Sequence, residues 1–223
     1  MTIFPDNIRI RAPEIRAVPF ASCYVYSPCG DGPAARLSRI LCALIKAGDS
    51  RLMVKYAMRV RQQAADAPPL AAFFESADVL IPVPGCVPRE AGSASVTERL
   101  AAAFVQEGLG RAAWAGLRRI QAVHKSATSI RGRRPSVKKH YDTLAVDSLD
   151  AVADCGQFVL VDDVVTKGRT LFAAAMRLHE AFPLARIRGF ALLRTMGFQQ
   201  IGRLLEPCVG EIAFRAGDAH RRP

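Results

Sequence analysis

The sequence predicts an α/β fold: a single domain with a central, mainly parallel β-sheet flanked by helices. Three short, mostly apolar runs, at 78–81, 158–161 and 186–193, have the length of strands that are buried on both faces of a parallel sheet. Stretches with helical spacing of apolar residues lie between these runs, as in strand–helix–strand units. With 223 residues, of which 50% are hydrophobic, the chain is long enough to bury one good core.

We expect a cytoplasmic protein, because the chain has no apolar run of about 18 residues and its start lacks the layout of a signal peptide. The six cysteines are scattered without a Cys-x-x-Cys pair, which favours free thiols over a zinc site. The net charge is +11, with basic clusters at 131–139 and 220–222. Neither cluster is interleaved with aromatic residues, so a nucleic-acid partner is possible but not favoured.

Three segments divide the chain. Residues 1–35 carry many Pro and Gly and show no sustained period, which predicts a mostly irregular segment with a short strand near 23–26. Residues 36–217 contain the periodic stretches and form the predicted α/β domain. Residues 218–223 are basic and are predicted to be a solvated, frayed tail.

Helical periodicity begins near residue 35. Apolar residues recur at helical spacing over 37–45, and Gly48 follows as a plausible C-terminal stop. A second helix is predicted for Ser50–Ala65 and a short one for Leu70–Phe74. The next helix is predicted for Ser95–Gln106, with a serine or threonine able to cap its start.

The predicted strands alternate with loops. The run at 78–81 ends in Pro82–Gly85, a rigid stretch that we call the proline loop. A strand is predicted for 113–120 and an edge strand for 211–214. Between them, residues 121–139 form a long basic stretch with Gly and Ser, which is typical either of a functional lid or of disorder.

One stretch carries the chemistry of the predicted domain. The apolar run Phe158–Val161 leads into Asp162 and Asp163, which we call the acid pair. Two valines and Thr166–Thr170, the threonine loop, follow, and a helix begins near Thr170. A turn between a buried strand and a helix directs backbone N–H groups and the positive end of the helix dipole at one point, which suits a phosphate.

Side chains of this stretch add to the predicted site. Gly168 lets the backbone approach a ligand closely, and Thr166 and Thr170 add hydroxyl donors. The acid pair, at the carboxyl end of the strand, can accept hydrogen bonds from sugar hydroxyls or help to hold Mg²⁺. These residues predict a ribose 5-phosphate site. A capped strand–helix turn is the alternative, and the chain has no Walker phosphate loop.

The stretch resembles the phosphoribosyl-pyrophosphate (PRPP) signature of the type I phosphoribosyltransferases: an apolar run, an acidic pair, two apolar residues and Thr-x-Gly-x-Thr. The resemblance implies that the acid pair contacts the ribose 2- and 3-hydroxyls, and that Mg²⁺ is the cofactor, held directly by the pair or through those hydroxyls. It also implies that the threonine loop wraps the 5-phosphate. The implied substrate-binding residues are Val164, Val165, Thr166, Lys167, Gly168, Arg169 and Thr170. Lys167 and Arg169 stand where small residues are common and add positive charge beside the phosphate.

The proline loop resembles that of the ComF-like, amidophosphoribosyltransferase-related branch. In the family, this loop holds pyrophosphate through backbone amides and a basic residue, which here implies Val83, Gly85 and Arg89. Tyr26 and Lys46, the latter preceded by an isoleucine, also look like the upstream segment of that branch. The zinc cysteines that are frequent in the branch are missing.

The basic stretch 121–139 looks like the family's flexible loop, which closes over PRPP. By that resemblance Lys125, Arg131 and Arg133 are candidate lid cations, and a solvated run of charge is the alternative. After the proline loop the chain departs from the branch, which usually shows Arg-Gly-Phe-Asn-Gln where this sequence has Arg-Glu-Ala-Gly-Ser. This departure leaves the acceptor open.

The resemblance implies a phosphoribosyltransferase that binds Mg²⁺–PRPP, transfers the 5-phosphoribosyl group to a nitrogen acceptor and releases pyrophosphate. The implied catalytic residues are Asp162, Asp163, Arg89, Lys125 and Arg131. Two alternatives stay open: a non-catalytic PRPP or nucleotide sensor with a basic nucleic-acid-binding surface, and a hydrolase that releases free sugar phosphate. A homodimer is also possible.

Overall fold

The structure, a computed structural model, describes residues 15–75, 77–89, 92–124, 134–147, 152, 155–197 and 199–223. In these residues the chain forms an α/β fold with a seven-stranded, mostly parallel mixed sheet, a separate two-stranded sheet and six helices. The predicted α/β class is confirmed. None of the described helices is both long enough and apolar enough to cross a membrane.

The elements follow one another in an order that begins with a strand and ends with a hairpin. In chain order they are β1 (Ala17–Tyr26), α1 (Pro33–Ala47), α2 (Ser50–Asp66), α3 (Pro68–Phe74), β2 (Val79–Pro82), α4 (Val96–Gln106), β3 (Ala112–Ala113), β4 (Leu117–Arg119), α5 (Val137–Asp142), β5 (Leu144–Val146), β6 (Gln157–Val165), α6 (Arg169–Ala181), β7 (Arg186–Thr195), β8 (Leu205–Arg215) and β9 (Asp218–Arg222). The main sheet has the order β3-β2-β6-β7-β1-β8-β9. Its first five strands are parallel to one another. β8 pairs antiparallel with β1, and β9 pairs antiparallel with β8 at the edge of the sheet.

Local sequence signals set the helix ends where they were predicted. Gly48 ends α1 in the left-handed conformation, with a φ of 71°, which glycine adopts without steric cost. The Asp49 carboxylate accepts from Leu52 N–H at 3.0 Å and caps α2. Ser95 and Glu98 form a capping box at the start of α4.

The prediction of a mostly irregular N-terminal segment is wrong for Ala17–Tyr26, although the short strand predicted near 23–26 lies within this range. These ten residues form β1, which lies inside the sheet between β7 and β8. The Pro and Gly residues of 1–35 suggested irregular structure, but Pro19 lies near the start of β1, before the ladder with β7 begins at Phe20. Burial on both faces, with Phe20 and Val25 fully enclosed, makes this segment a core strand.

The prediction of a frayed basic tail is also wrong. Asp218–Arg222 form β9, which pairs with β8 across a tight turn where Ala216 and Gly217 have φ values of 49° and 78°. β8 is longer than the predicted strand 211–214 and is not an edge, because β9 lies beyond it. The charged side chains of β9 gave no apolar pattern from which a strand could be predicted, because an edge strand keeps much of its surface in water.

The predicted strand 113–120 divides into two short strands that belong to different sheets. β3 lies at the edge of the main sheet beside β2, and β4 pairs with β5 in the small sheet. Trp114, Ala115 and Gly116 lie between them and carry the chain from one sheet to the other.

Two hydrophobic cores fill the space on either side of the main sheet. One lies under α1–α4 and includes Val159 and Val161 of β6. The other lies under α5 and α6 and includes Phe158 and Leu160 of the same strand. β6 is therefore buried on both faces, as its continuous apolar run predicted.

Candidate functional site

The sheet order reverses direction between β2 and β6. The chain leaves β2 through α4 and returns at β3 on one side, whereas it leaves β6 through α6 and returns at β7 on the other. The loops after β2 and β6 therefore diverge and leave a crevice at the carboxyl ends of these strands, which is the usual ligand position in open α/β sheets. Val83 N–H donates to Val161 O at 2.9 Å and sets the proline loop beside the acid pair.

The acid pair lies within the last part of β6, because the strand continues through both carboxylates to Val165. Asp163 N–H donates to Asp162 Oδ1 at 2.9 Å, and Val164 N–H donates to Asp163 Oδ1 at 2.7 Å. Lys46, at the end of α1, donates to Asp163 Oδ2. Each carboxylate is thus oriented by a backbone group, and Asp163 also has a cationic partner.

Burial and the neighbouring Asp163 carboxylate raise the pKa of Asp162 well above its ordinary value, although the Lys46 ammonium opposes this rise. For Lys46 itself, burial lowers the pKa, but the Asp163 and Asp162 carboxylates outweigh burial, so its pKa lies above the ordinary value. The crevice therefore contains two carboxyl groups and one ammonium. Lys46 was absent from the predicted site residues; its place in the resemblance to the ComF-like branch was the available signal.

The threonine loop leads into the uncapped N-terminus of α6. Gly168 occupies the N-cap position with a φ of 87° and has no side chain to accept from the first-turn N–H groups. By contrast, Asp49, Ser95 and Ser136 cap α2, α4 and α5 with side-chain oxygens. The first N–H groups of α6 are therefore open to an anionic ligand.

A packing contact also requires glycine at position 168. A Cβ atom there would lie 2.7 Å from side-chain carbons of Ile212 in β8. The positive φ and this close contact explain the glycine without any ligand. A larger residue at position 168 would therefore disturb the packing against β8 as well as the space that is open to a ligand.

The cations of the threonine loop are paired with Asp218 of β9. Arg169 donates to Asp218 with Nε to Oδ1 and Nη2 to Oδ2, both at 2.6 Å, and Lys167 Nζ lies 3.3 Å from Oδ2. The hydrogen bonds from Arg169 are the main reason that the pKa of Asp218 is lowered to about 2. The positive charge that Lys167 and Arg169 were predicted to add beside the phosphate is therefore offset by the Asp218 carboxylate, which was not among the predicted site residues.

Arg221 of β9 also contacts the threonine loop. Its Nε donates to Thr166 O at 3.0 Å, and its Nη2 donates to Thr195 O at 2.7 Å. The β8–β9 hairpin thus holds the threonine loop through Ile212, Asp218 and Arg221. This support went unpredicted because β9 was taken for a tail.

The remaining predicted residues lie around the two loops. Val165 and Val83 are buried, whereas Gly85, Thr166 and Lys167 are exposed. Val164 and Thr170 are partly buried. Arg89 is paired with Glu98 at 2.6 Å and lies 3.3 Å from Ser93 Oγ. The predicted lid cations Lys125, Arg131 and Arg133 lie outside the described residues.

A cavity of about 470 Å³ adjoins the proline loop. Its walls come from the proline loop, the start of α4 and β4, and include Arg89, Ser95 and Arg119. Thr97 Oγ1 of α4 donates to Val83 O at 2.9 Å and keeps this wall against the loop. Among the described residues, no group of three or more His, Cys, Asp or Glu side chains is arranged to hold a metal ion.

Compared with protein-family models and with curated proteins, the chain has no match.

Proposed function

We propose that the chain is a phosphoribosyltransferase that transfers the 5-phosphoribosyl group of Mg²⁺–PRPP to a nitrogen acceptor and releases pyrophosphate. The observation that carries the proposal is the acid pair, which lies beside the uncapped start of α6 at the point where the sheet order reverses. The resemblance of residues 158–170 to the PRPP signature supports it.

In this proposal the acid pair accepts hydrogen bonds from the ribose 2- and 3-hydroxyls. The N–H groups at the start of α6, with the Thr166 and Thr170 hydroxyls, bind the 5-phosphate. The Gly85 N–H, which remains free of the sheet bond that Val83 N–H makes to Val161 O, binds the pyrophosphate, with Arg89 and the lid cations Lys125 and Arg131 as its basic partners. The reaction breaks the bond between the anomeric carbon and pyrophosphate and forms a bond to the acceptor nitrogen.

Positive charge grows on the ribose ring as pyrophosphate departs, and nearby carboxylates stabilise that charge. Lys46 keeps one of the two carboxylates oriented through its bond to Asp163 Oδ2. No covalent nucleophile is required, because the protein acts by positioning and by electrostatic stabilisation.

The acid pair fits Mg²⁺ only as a partial ligand set. Carboxylate oxygens suit this cation, but Asp163 already has Lys46 as its partner. Most ligands of the ion would therefore come from PRPP oxygens and water, with the acid pair holding it directly or through the ribose hydroxyls. When bound, Mg²⁺ would neutralise charge on the leaving pyrophosphate.

Calorimetric titration with PRPP, with and without Mg²⁺, tests the binding step. We expect binding that is tighter with Mg²⁺ and is lost when Asp162 and Asp163 are both changed to alanine. Release of pyrophosphate in the presence of candidate nitrogen acceptors then tests catalysis. A folded wild-type chain without measurable affinity for PRPP would contradict the proposal.

A non-catalytic PRPP or nucleotide sensor is the second candidate. The pairing of Arg89 with Glu98, and of Lys167 and Arg169 with Asp218, favours it, because these cations are engaged within the protein. A sensor would bind PRPP without releasing pyrophosphate for any acceptor. If its basic surface binds nucleic acid, that affinity should fall steeply with salt.

A further inference from the structure

Arg119, the last residue of β4, is a buried cation whose hydrogen bonds all go to neutral oxygens. The residue is 5% exposed. Its Nε donates to Gly85 O at 2.9 Å, and its Nη1 donates to Thr143 Oγ1 at 2.7 Å and to His140 O at 3.2 Å. Burial lowers the pKa of Arg119. A buried guanidinium is costly without partners, so these bonds orient the group, while its Nη2 has no partner among the described residues.

These bonds join two parts of the crevice. Gly85 belongs to the proline loop, whereas His140 and Thr143 belong to α5 and its C-cap. The His140 imidazole is buried, and its Nε2 lies 3.5 Å from Thr170 Oγ1 in the threonine loop. A series of contacts therefore runs from the Gly85 carbonyl, through the buried Arg119 and His140, to Thr170.

A second contact ties the same parts together. Val123 N–H, a few residues after β4, donates to Cys86 O at 2.7 Å, directly after the proline loop. The proline loop is thus held from β2 on one side, through Val83, and from the β4 region on the other. Of these contacts, the one from Arg119 also reaches α5 and thereby the threonine loop.

We propose that Arg119 is a positioning residue that holds the proline loop at a set distance from the threonine loop. This inference rests on the proposed function. PRPP has phosphate groups at two ends of one ribose, so its affinity depends on the spacing of both loops. Ribose 5-phosphate occupies the threonine loop alone, so its affinity does not depend on that spacing.

Arg119→Met tests this role, because methionine keeps much of the side-chain volume and removes all three hydrogen bonds. Calorimetry with Mg²⁺–PRPP and with ribose 5-phosphate compares the two ligands in each variant. We expect the affinity for PRPP to fall about tenfold or more, the effect of losing one or more charge-assisted contacts at the far loop. In the same variant, the affinity for ribose 5-phosphate should change less than about twofold.

Arg111→Met is the matched control. Arg111 directly precedes β3, has a side chain 85% exposed and pairs with Asp78 at 3.7 Å, at the end of the sheet opposite the two loops. It should bind both ligands like the wild type. Equal losses of both ligands in Arg119→Met would overturn the inference, because they would indicate a general structural role.

Thr143→Val provides a second test that keeps the Arg119 charge in place. It removes one acceptor of Nη1 and should weaken PRPP selectively, by a smaller factor than Arg119→Met. An unchanged affinity for PRPP in Thr143→Val would show that the contact between Arg119 and the C-cap of α5 does not set the spacing of the loops, which would overturn positioning. A wild-type chain that binds neither ligand would instead overturn the proposed function, and this inference with it.

Discussion

The Lys46 ammonium at the end of α1 donates a hydrogen bond to Asp163 Oδ2 near the end of β6, although 117 residues separate them in the chain. The Asp163 side chain is 10% exposed and the Lys46 side chain is 56% exposed. Lys46 thus approaches an enclosed carboxylate from the open side of the crevice. It offsets the repulsion between two adjacent carboxylates, which would otherwise favour uptake of a proton.

We predict that Lys46→Met weakens the binding of Mg²⁺–PRPP by about tenfold, equivalent to about 1.4 kcal/mol, because Asp163 loses its orienting partner. Lys55→Met, which removes an exposed lysine of α2, is the control for the loss of one charge. Calorimetry on both variants provides the comparison. Equal affinities for Mg²⁺–PRPP in the two variants would contradict a role of Lys46 in the site.

The double change Asp162→Asn and Asp163→Asn keeps the side-chain size and removes the negative charge. Asparagine can still accept from a hydroxyl, so the binding free energy should weaken by about 1–3 kcal/mol. Turnover should fall further, because charge develops on the ribose only in the transition state. With a responsive acceptor, wild-type turnover at saturating PRPP in this variant would contradict the catalytic role of the pair.

Gly168→Ala is predicted to destabilise the fold itself. The left-handed conformation alone costs a non-glycine residue about 1–2 kcal/mol, and the added Cβ would also meet Ile212. Gly217→Ala is the matched control, because Gly217 has a φ of 78° and no atom lies within 4 Å of its added Cβ. Chemical denaturation should show a larger loss for Gly168→Ala, and Ile212→Ala should cost less in that background than in the wild type.

Asp218→Ala is predicted to lower the free energy of unfolding by about 1.5–3 kcal/mol, the contribution of hydrogen bonds to charged groups. The pKa of Asp218 is lowered to about 2 in the folded state, from an ordinary value of 3.8. Its stabilisation is therefore complete above about pH 4 and is lost as pH falls through 2. Asp142→Ala, which breaks an exposed pair with Lys138, should change stability by less than about 1 kcal/mol.

His140 should make stability depend on pH in a different range. Burial, together with Arg119 and Arg169, lowers its pKa from 6.5 to about 4 in the folded state. Between these values the unfolded chain binds a proton that the folded chain excludes, so stability falls as pH decreases, by up to about 1.4 kcal/mol per unit. Thermal unfolding from pH 7 to 4 should therefore show a shallower decline for His140→Asn than for the wild type. His179→Gln serves as the control, and identical slopes in His140→Asn and the wild type would contradict this origin.

Much of the parallel sheet and most helix ends could be predicted from local patterns. The apolar run of β6, the stop at Gly48 and the capping box at Ser95 depend on neighbouring residues, so they are visible in a short stretch of sequence. β1 was predicted only over 23–26, because the surrounding Pro and Gly residues obscured its apolar pattern, and the register with β7 shows that the strand extends back to Phe20. β9 was missed because a charged edge strand lacks a strong apolar period.

The sequence by itself determined the chemistry of one stretch: two carboxylates, a glycine and two threonines between a buried strand and a helix. Short-range geometry is enough to bring those groups together, because they are consecutive in the chain. Only the tertiary structure decided which distant groups surround them, namely Lys46 at the acid pair, Asp218 and Arg221 at the threonine loop, and Arg119 at the proline loop. These contacts join elements far apart in sequence, and their partners are set by strand order and packing, which no local pattern encodes.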